Sequence, residues 1–249
     1  MKAPRAALVT GAARGLGLAA ARRLQKDGFV VHVVWRSGAA APTELVREFG
    51  SHVHQSDLER PGAAAELVQR VLTESGRIDA LVHAVGAYEE GRLDGRVEGG
   101  ASAAVERMWR SNVATAVAVM DASRAALRAA AREHGDASVV FFGVAGLEGL
   151  RARSECAAYA AAKSALVVLA RSWAREEGAH GVRVNCVSPG VVPHDGAHPA
   201  TLAHELVRKI PLGRVGRPHE VAAAVAWLCS SEATHVTGAD LPVAGGFGL

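Results

Sequence analysis

Short, almost wholly apolar runs alternate along this chain with longer amphipathic ones, and the alternation predicts its elements. Ala6-Ala7-Leu8-Val9 reads as a buried strand, followed by a glycine-rich turn and a helix to about Lys26. Val30 to Trp35 is a second apolar strand, the kind found where a parallel sheet is covered on both faces. A helix over Glu44–Phe49, a strand over His52–Gln55, a helix over Ala63–Ser75 and a strand over Ala80–His83 follow. Helical periodicity then runs from Ser102 to about Glu133, with a break near Ser111. Strands at Ser138–Phe142, Arg183–Ser188 and around Ala239–Val243 are separated by helices over Tyr159–Glu177 and Pro218–Ser230. Strands alternating with helices indicate parallel βαβ units, and hence an α/β fold. Ligands of such sheets sit beyond the carboxyl ends of the strands. Thr10, His83, Phe142 and Ser188 end or nearly end four strands, so they converge on one crevice.

Composition narrows the function classes. The chain has 249 residues, 49% of them hydrophobic, enough for one large domain over residues 1–249 and requiring no second. No apolar run approaches the roughly 20 residues that span a membrane. Met1-Lys2-Ala3-Pro4-Arg5 leads straight into a strand without a signal-peptide pattern, so a cytoplasmic location is expected. A formal charge of +3 on scattered basic residues gives no nucleic-acid stripe. Cys156, Cys186 and Cys229 lack a C-x-x-C spacing and read as buried free thiols. His194, His198 and His204 lie in a variable segment, Val191–Lys209, with spacing that makes no convincing zinc site, so no metal is expected.

Thr10-Gly11-Ala12-Ala13-Arg14-Gly15-Leu16-Gly17 directly follows the first strand and opens a helix. Gly11 permits a tight turn, Gly15 lets backbone approach a pyrophosphate, and Gly17 allows close helix–strand packing, with the helix N-terminus facing phosphate. In that context the triplet is a dinucleotide signature. An acid at the end of the second strand would favour NAD; here Trp35-Arg36-Ser37 stands there, and Arg14 lies inside the glycine loop. Two guanidinium groups with no acid nearby suit the 2′-phosphate of NADP(H), unless both are ordinary surface charges. Asp57, after the third strand, either contacts the adenine or caps a helix.

Tyr159 and Lys163 are four residues apart, one helical turn, and therefore share a face. An ammonium beside a phenol favours the phenolate and is expected to pull the Tyr159 pKa down, suiting it to proton transfer.

With both motifs present, the chain resembles the short-chain dehydrogenase/reductase family over essentially its whole length. Matching positions are Thr10–Gly17, Asp57, Gly86, Asn112, Tyr159, Lys163, Asn185 and Pro189-Gly190. The stretch Ile210 to Pro218, Thr237-Gly238 and Gly245-Gly246 also match. The resemblance implies a Rossmann-like, doubly wound parallel sheet of about seven strands with helices on both faces, assembled as a homotetramer or homodimer. It implies a small-molecule substrate and NADP(H) contacts from Gly11, Arg14, Gly15, Leu16, Gly17, Arg36, Ser37, Asp57, Leu58, Gly86, Tyr159, Lys163, Pro189, Gly190 and Val192. Tyr159 would pass a proton to or from the substrate oxygen. Lys163 would hold the nicotinamide ribose and lower the Tyr pKa, and Asn112 would hold a relay water unless it only kinks the helix.

Four departures fall at the catalytic end. Phe142-Gly143-Val144-Ala145-Gly146 puts Gly143 where the family carries a catalytic Ser, and His83-Ala84-Val85-Gly86 replaces Asn-Asn-Ala-Gly. Pro193 or His194 stands for the family Thr after Pro-Gly. The stretch from Gly143 to Tyr159 is longer, with Glu148, Arg151, Arg153, Ser154 and Glu155 as substrate contacts or a new donor. Tyr88, Trp109, Phe142 and Leu147 either line an aromatic-tolerant pocket or belong to the core. Glu133 and His180 at the ends of the long helices argue for a free small molecule over an acyl carrier. The expected function is NADP(H)-dependent reduction of a C=O or C=N bond of a small metabolite. The alternative is an NADP(H)-binding protein with non-redox chemistry or a sensor role.

Overall fold

The computed structural model describes residues 4–37, 42–94, 98–147, 151–193 and 206–248. Seven parallel strands form one sheet in the order β3-β2-β1-β4-β5-β6-β7. The strands are β1 (Ala6–Thr10), β2 (Val30–Trp35), β3 (Val53–Gln55), β4 (Ala80–His83), β5 (Ala137–Phe142), β6 (Val182–Pro189) and β7 (Asp240–Val243). The helices are α1 (Gly15–Lys26), α2 (Thr43–Phe49), α3 (Ala63–Ser75), α4 (Gly100–Trp109), α5 (Thr115–His134), α6 (Ala157–Glu177) and α7 (Pro218–Leu228).

The period of two along each strand sorts side chains between two cores. Leu8, Val34, Leu81, Val139, Phe141 and Val184 join one with α3, α5 and α6. Ala7, Val9, Val33, Val82, Val140 and Val187 join the other with α1, α2 and α7. Every residue of β1, β4, β5 and β6 is buried, which explains why β1, β4 and β5 read as largely apolar runs, while β6 also buries Arg183, Asn185 and Ser188. Chain order reverses on either side of β1 and β4, and in such sheets the binding crevice opens there.

The expected break near Ser111 is a π-helical turn, Arg110–Ala114, between α4 and α5. Single π turns inside helices redirect side chains and recur at functional sites. This one holds Ser111, Asn112 and Val113 buried. Among the described residues no helix is long and apolar enough to cross a membrane.

Candidate active site

β1 delivers the chain into the glycine loop, where Gly11 and Gly15 have φ of 69° and 60°, a region L side chains avoid. A Cβ on Gly11 would stand 2.7 Å from the Ala84 carbonyl, and one on Gly17 would strike the Gly11 carbonyl oxygen. The loop is thus closed against the segment after β4. Arg14 caps α1 without a side-chain hydrogen bond, and no acid lies in the first turn. The Arg14 side chain thus leaves the α1 N-terminus open, which suits it to a diphosphate. Glycine cradle and uncapped helix together fit a dinucleotide. Leu16 is half-buried at the start of α1.

Arg14, Arg36 and Ser37 are exposed. Contrary to the sequence expectation, an acid does stand near one of these arginines. The Glu59 carboxylate approaches the Arg36 Nη1 at 3.6 Å, because the turn after β3 folds back beside the end of β2. The pair is exposed, and such pairs hold their partners weakly. Asp57 accepts the Glu59 N–H at 3.1 Å, a local turn contact, and the Leu58 side chain is buried in the core.

Deeper in the crevice, α6 places Tyr159 and Lys163 on one face, as their spacing predicts. Lys163 is buried and donates to the Phe142 carbonyl at 2.8 Å, which leaves its Nζ 5.7 Å from the Tyr159 ring centre. That geometry overturns the expected lowering of the Tyr159 pKa. Burial, then Cys156, pushes Tyr159 above its ordinary value, and burial brings Lys163 down to about 8. Tyr88, exposed at the crevice mouth, meets Tyr159 edge to face at 5.0 Å between ring centres. Cys156 is also only half-buried here, unlike the buried Cys186 and Cys229.

Asn112 is fully buried and donates through Nδ2 to Ala87 and Met108 carbonyls at 2.9 and 3.1 Å, while its Oδ1 has no hydrogen-bond partner among the described residues. A Cβ on Gly86 would collide with that Oδ1 and come within 3.3 Å of Lys163 Nζ. Gly86, Asn112 and Lys163 therefore meet at one point, and only glycine leaves room for it. His83 secures the same region from below. Its Nδ1 lies 2.8 Å from Thr10 Oγ1 and its Nε2 3.2 Å from Thr115 Oγ1, which in turn donates to the Ser111 carbonyl. Burial holds its pKa near 3, so it is a neutral strap between glycine loop and π turn.

The buried Lys163 has a stability consequence. Its pKa in the folded chain, about 8, lies below the ordinary lysine value of 10.5, so between these values the unfolded chain holds more protons. This group's contribution to stability therefore rises with pH through that window and is constant below it. Denaturation curves should show Lys163→Met more stable than wild type at neutral pH, with the gap narrowing from about pH 8 to about pH 10. A gap independent of pH would contradict this.

At the end of β5, the Gly143 amide donates to the Val187 carbonyl. A Cβ there would collide with Ser188 Oγ, which is fully buried and donates to Asp240 Oδ1 at 2.5 Å. A side chain at 143 can enter only if Ser188 leaves Asp240. Simple restoration by Gly143→Ser is therefore expected to destabilise the chain by about 1–3 kcal/mol, the usual cost of overpacking. Adding Ser188→Ala should recover most of that loss, since the Ser188 Cβ lies 3.5 Å from the new atom. Equal denaturation midpoints for Gly143→Ser and wild type would contradict the clash.

The longer segment before α6 is tied down at several of its described residues. Arg153 donates to the Gly146 carbonyl at 2.6 Å, Arg151 to the Gly248 carbonyl at 2.7 Å, and Glu155 pairs with Arg92 at 3.0 Å. Ser154 is exposed, and Glu148 lies outside the described residues, as do His194, His198 and His204. Pro193 is exposed. Pro189 ends β6, Gly190 packs so closely that a Cβ would stand 2.8 Å from Ala244, and Val192 is buried. Phe142 is core; Leu147 is half-buried and Trp109 exposed.

The chain belongs to the short-chain dehydrogenase/reductase family: a family profile described as enoyl-(acyl carrier protein) reductase matches residues 11–248. It is 30% identical to a 3-oxoacyl-(acyl-carrier-protein) reductase of Chlamydia muridarum, over 97% of this chain and 96% of that one. It superposes on a metagenomic blue fluorescent protein in complex with NADPH with a TM-score of 0.86, 29% identity and 98% coverage of both chains. An NADH-dependent reductase of alginate metabolism, A1-R′, superposes with a TM-score of 0.84 at 25% identity, over 98% of this chain and 97% of that one. The chain is thus an oxidoreductase of a family that uses nicotinamide cofactors.

Proposed function

We propose that this protein is an NADP(H)-dependent reductase of a C=O bond, or a C=N bond, in a small metabolite. The observation that carries the reading is the meeting of Tyr159, Lys163, Asn112 and Gly86 in the crevice that the glycine loop opens. The nicotinamide would supply the hydride. Gly11, Gly15, Leu16 and Gly17 would hold the diphosphate, Arg14, Arg36 and Ser37 the 2′-phosphate, and Asp57 and Leu58 the adenine side. Gly86, Pro189, Gly190 and Val192 would border the nicotinamide.

Burial keeps the Tyr159 hydroxyl protonated, the form needed to give a proton to the oxygen of a carbonyl being reduced. Lys163 and Asn112 would return that proton: Nζ keeps donors beyond its bond to Phe142, and Asn112 Oδ1 is an unmet acceptor beside it. A second reading, an NADP(H)-binding protein with non-redox chemistry or a sensor role, draws on Ser188 occupying the space a donor at position 143 would need.

The cofactor part is tested by nicotinamide fluorescence. NADPH should bind more tightly than NADH, and Arg36→Asp should reverse the order by leaving an acid beside the 2′-phosphate. NADH preferred by the wild type, or no change in Arg36→Asp, would contradict the assignment. Exposed Val105 and Trp109 on α4 and Val168 on α6 are the apolar surface a second copy would cover in a homodimer or homotetramer. Light scattering showing a monomer at micromolar concentration would contradict that.

A further inference from the structure

A cluster outside the crevice stands apart from the chemistry above. His32, midway along β2, and His54, midway along β3, point from the same face of the sheet toward α3. The pairing of Val34 with His54 places His32 diagonally from it. Glu74 and Ser75 lie in the last turn of α3. Because α3 runs back antiparallel to the strands, that turn lies toward the edge opposite the glycine loop. His32 Nδ1 is 2.9 Å from His54 Nε2, and these atoms are 3.6 and 3.7 Å from Glu74 Oε2. All three lie within 4.8 Å of one another.

We propose that His32, His54 and Glu74 form a binding site for a divalent transition-metal ion, zinc above all. Zinc takes imidazole nitrogen at about 2.0–2.1 Å and carboxylate oxygen at about 2.0–2.2 Å in tetrahedral array, which separates adjacent ligand atoms by roughly 3.3 Å. The triangle of 2.9, 3.6 and 3.7 Å brackets that spacing, so movements of about 0.4 Å complete it. Two imidazoles and one carboxylate are a recognised zinc set, with a fourth position left for solvent.

Two further observations support the site. Ser75 Oγ lies 2.6 Å from His32 Nε2, the outer hydrogen bond that fixes a ligating ring with its other nitrogen turned to the metal. His32 and His54 are buried, whereas the Glu74 side chain is 35% exposed, giving an ion a way in. His52, its ring centre 4.5 Å from that of His32, packs alongside without entering the triangle. A bound ion would tie the edge strand β3 and its neighbour β2 to α3, so it would act on stability and not on hydride transfer.

The test uses the full chain stripped with a chelator and titrated with Co²⁺, followed by absorbance, and with Zn²⁺, followed by calorimetry. One equivalent should bind, and Zn²⁺ should raise the melting temperature. Glu74→Gln and His54→Gln should abolish binding, and Ser75→Ala should weaken it about 10–100-fold. Glu74 sits at the surface, so Glu74→Gln tests the site even if a histidine variant fails to fold. A triple variant with His194, His198 and His204 changed to Ala should bind as wild type does. No binding to wild type, binding unchanged in Glu74→Gln, or binding lost in the triple variant would overturn the assignment. The pair would then be a simple histidine–histidine hydrogen bond beside a surface carboxylate.

Discussion

Tyr159→Phe should lower turnover by about 10²–10⁴, the range general acid–base groups contribute, while NADPH affinity stays close to wild type. The ring keeps its edge-to-face contact with Tyr88 and its place at the start of α6, so only the hydroxyl is lost. Folding should not suffer, because burial already penalises the charged form of this phenol. Single-turnover oxidation of bound NADPH with substrate measures the chemical step directly. Retention of most turnover would mean that another group delivers the proton. A sensor would keep its ligand response in this variant.

Gly17→Ala should weaken cofactor binding sharply. The added carbon points into the Gly11 carbonyl oxygen, which is backbone and cannot rotate away, and the Ala84 methyl lies 3.1 Å off on the other side. The glycine loop must open to admit it, which moves the amides that would face the diphosphate. Calorimetric titration with NADPH should show affinity reduced more than about tenfold, and denaturation a loss of about 1–3 kcal/mol. Gly178→Ala is the control, since nothing lies within 4 Å of its added carbon and its φ is −56°. Unchanged NADPH affinity in Gly17→Ala would show that the loop does not hold the cofactor.

The middle of the sheet was legible because its central strands are buried on both faces and so appear as largely apolar runs between amphipathic ones. Ala63–Ser75 and Ala80–His83 match the observed α3 and β4, and the break expected near Ser111 coincides with the π turn. The glycine loop and the Tyr159–Lys163 turn were readable because local geometry alone sets them. What depends on contacts between distant segments was not. Lys163 turning to Phe142 depends on where β5 ends beside α6, and Ser188 filling the space at Gly143 depends on the register of β5 with β6. Glu59 reaches Arg36 only because of the turn after β3. His32, His54 and Glu74 lie on three elements and share no motif; register and the return of α3 bring them together. The substitution of His83 for the family Asn was visible in the sequence, but its bridge from Thr10 to Thr115 was not.

The most direct test of the central claim is to mix the purified protein with NADPH and a panel of ketones, 3-oxoacyl thioesters, quinones, imines and pterins, and follow loss of nicotinamide absorbance. The account predicts turnover on at least one carbonyl or imine class, abolished in Tyr159→Phe. Tight NADPH binding with no oxidation across the panel would contradict a reductase and favour the non-redox or sensor reading.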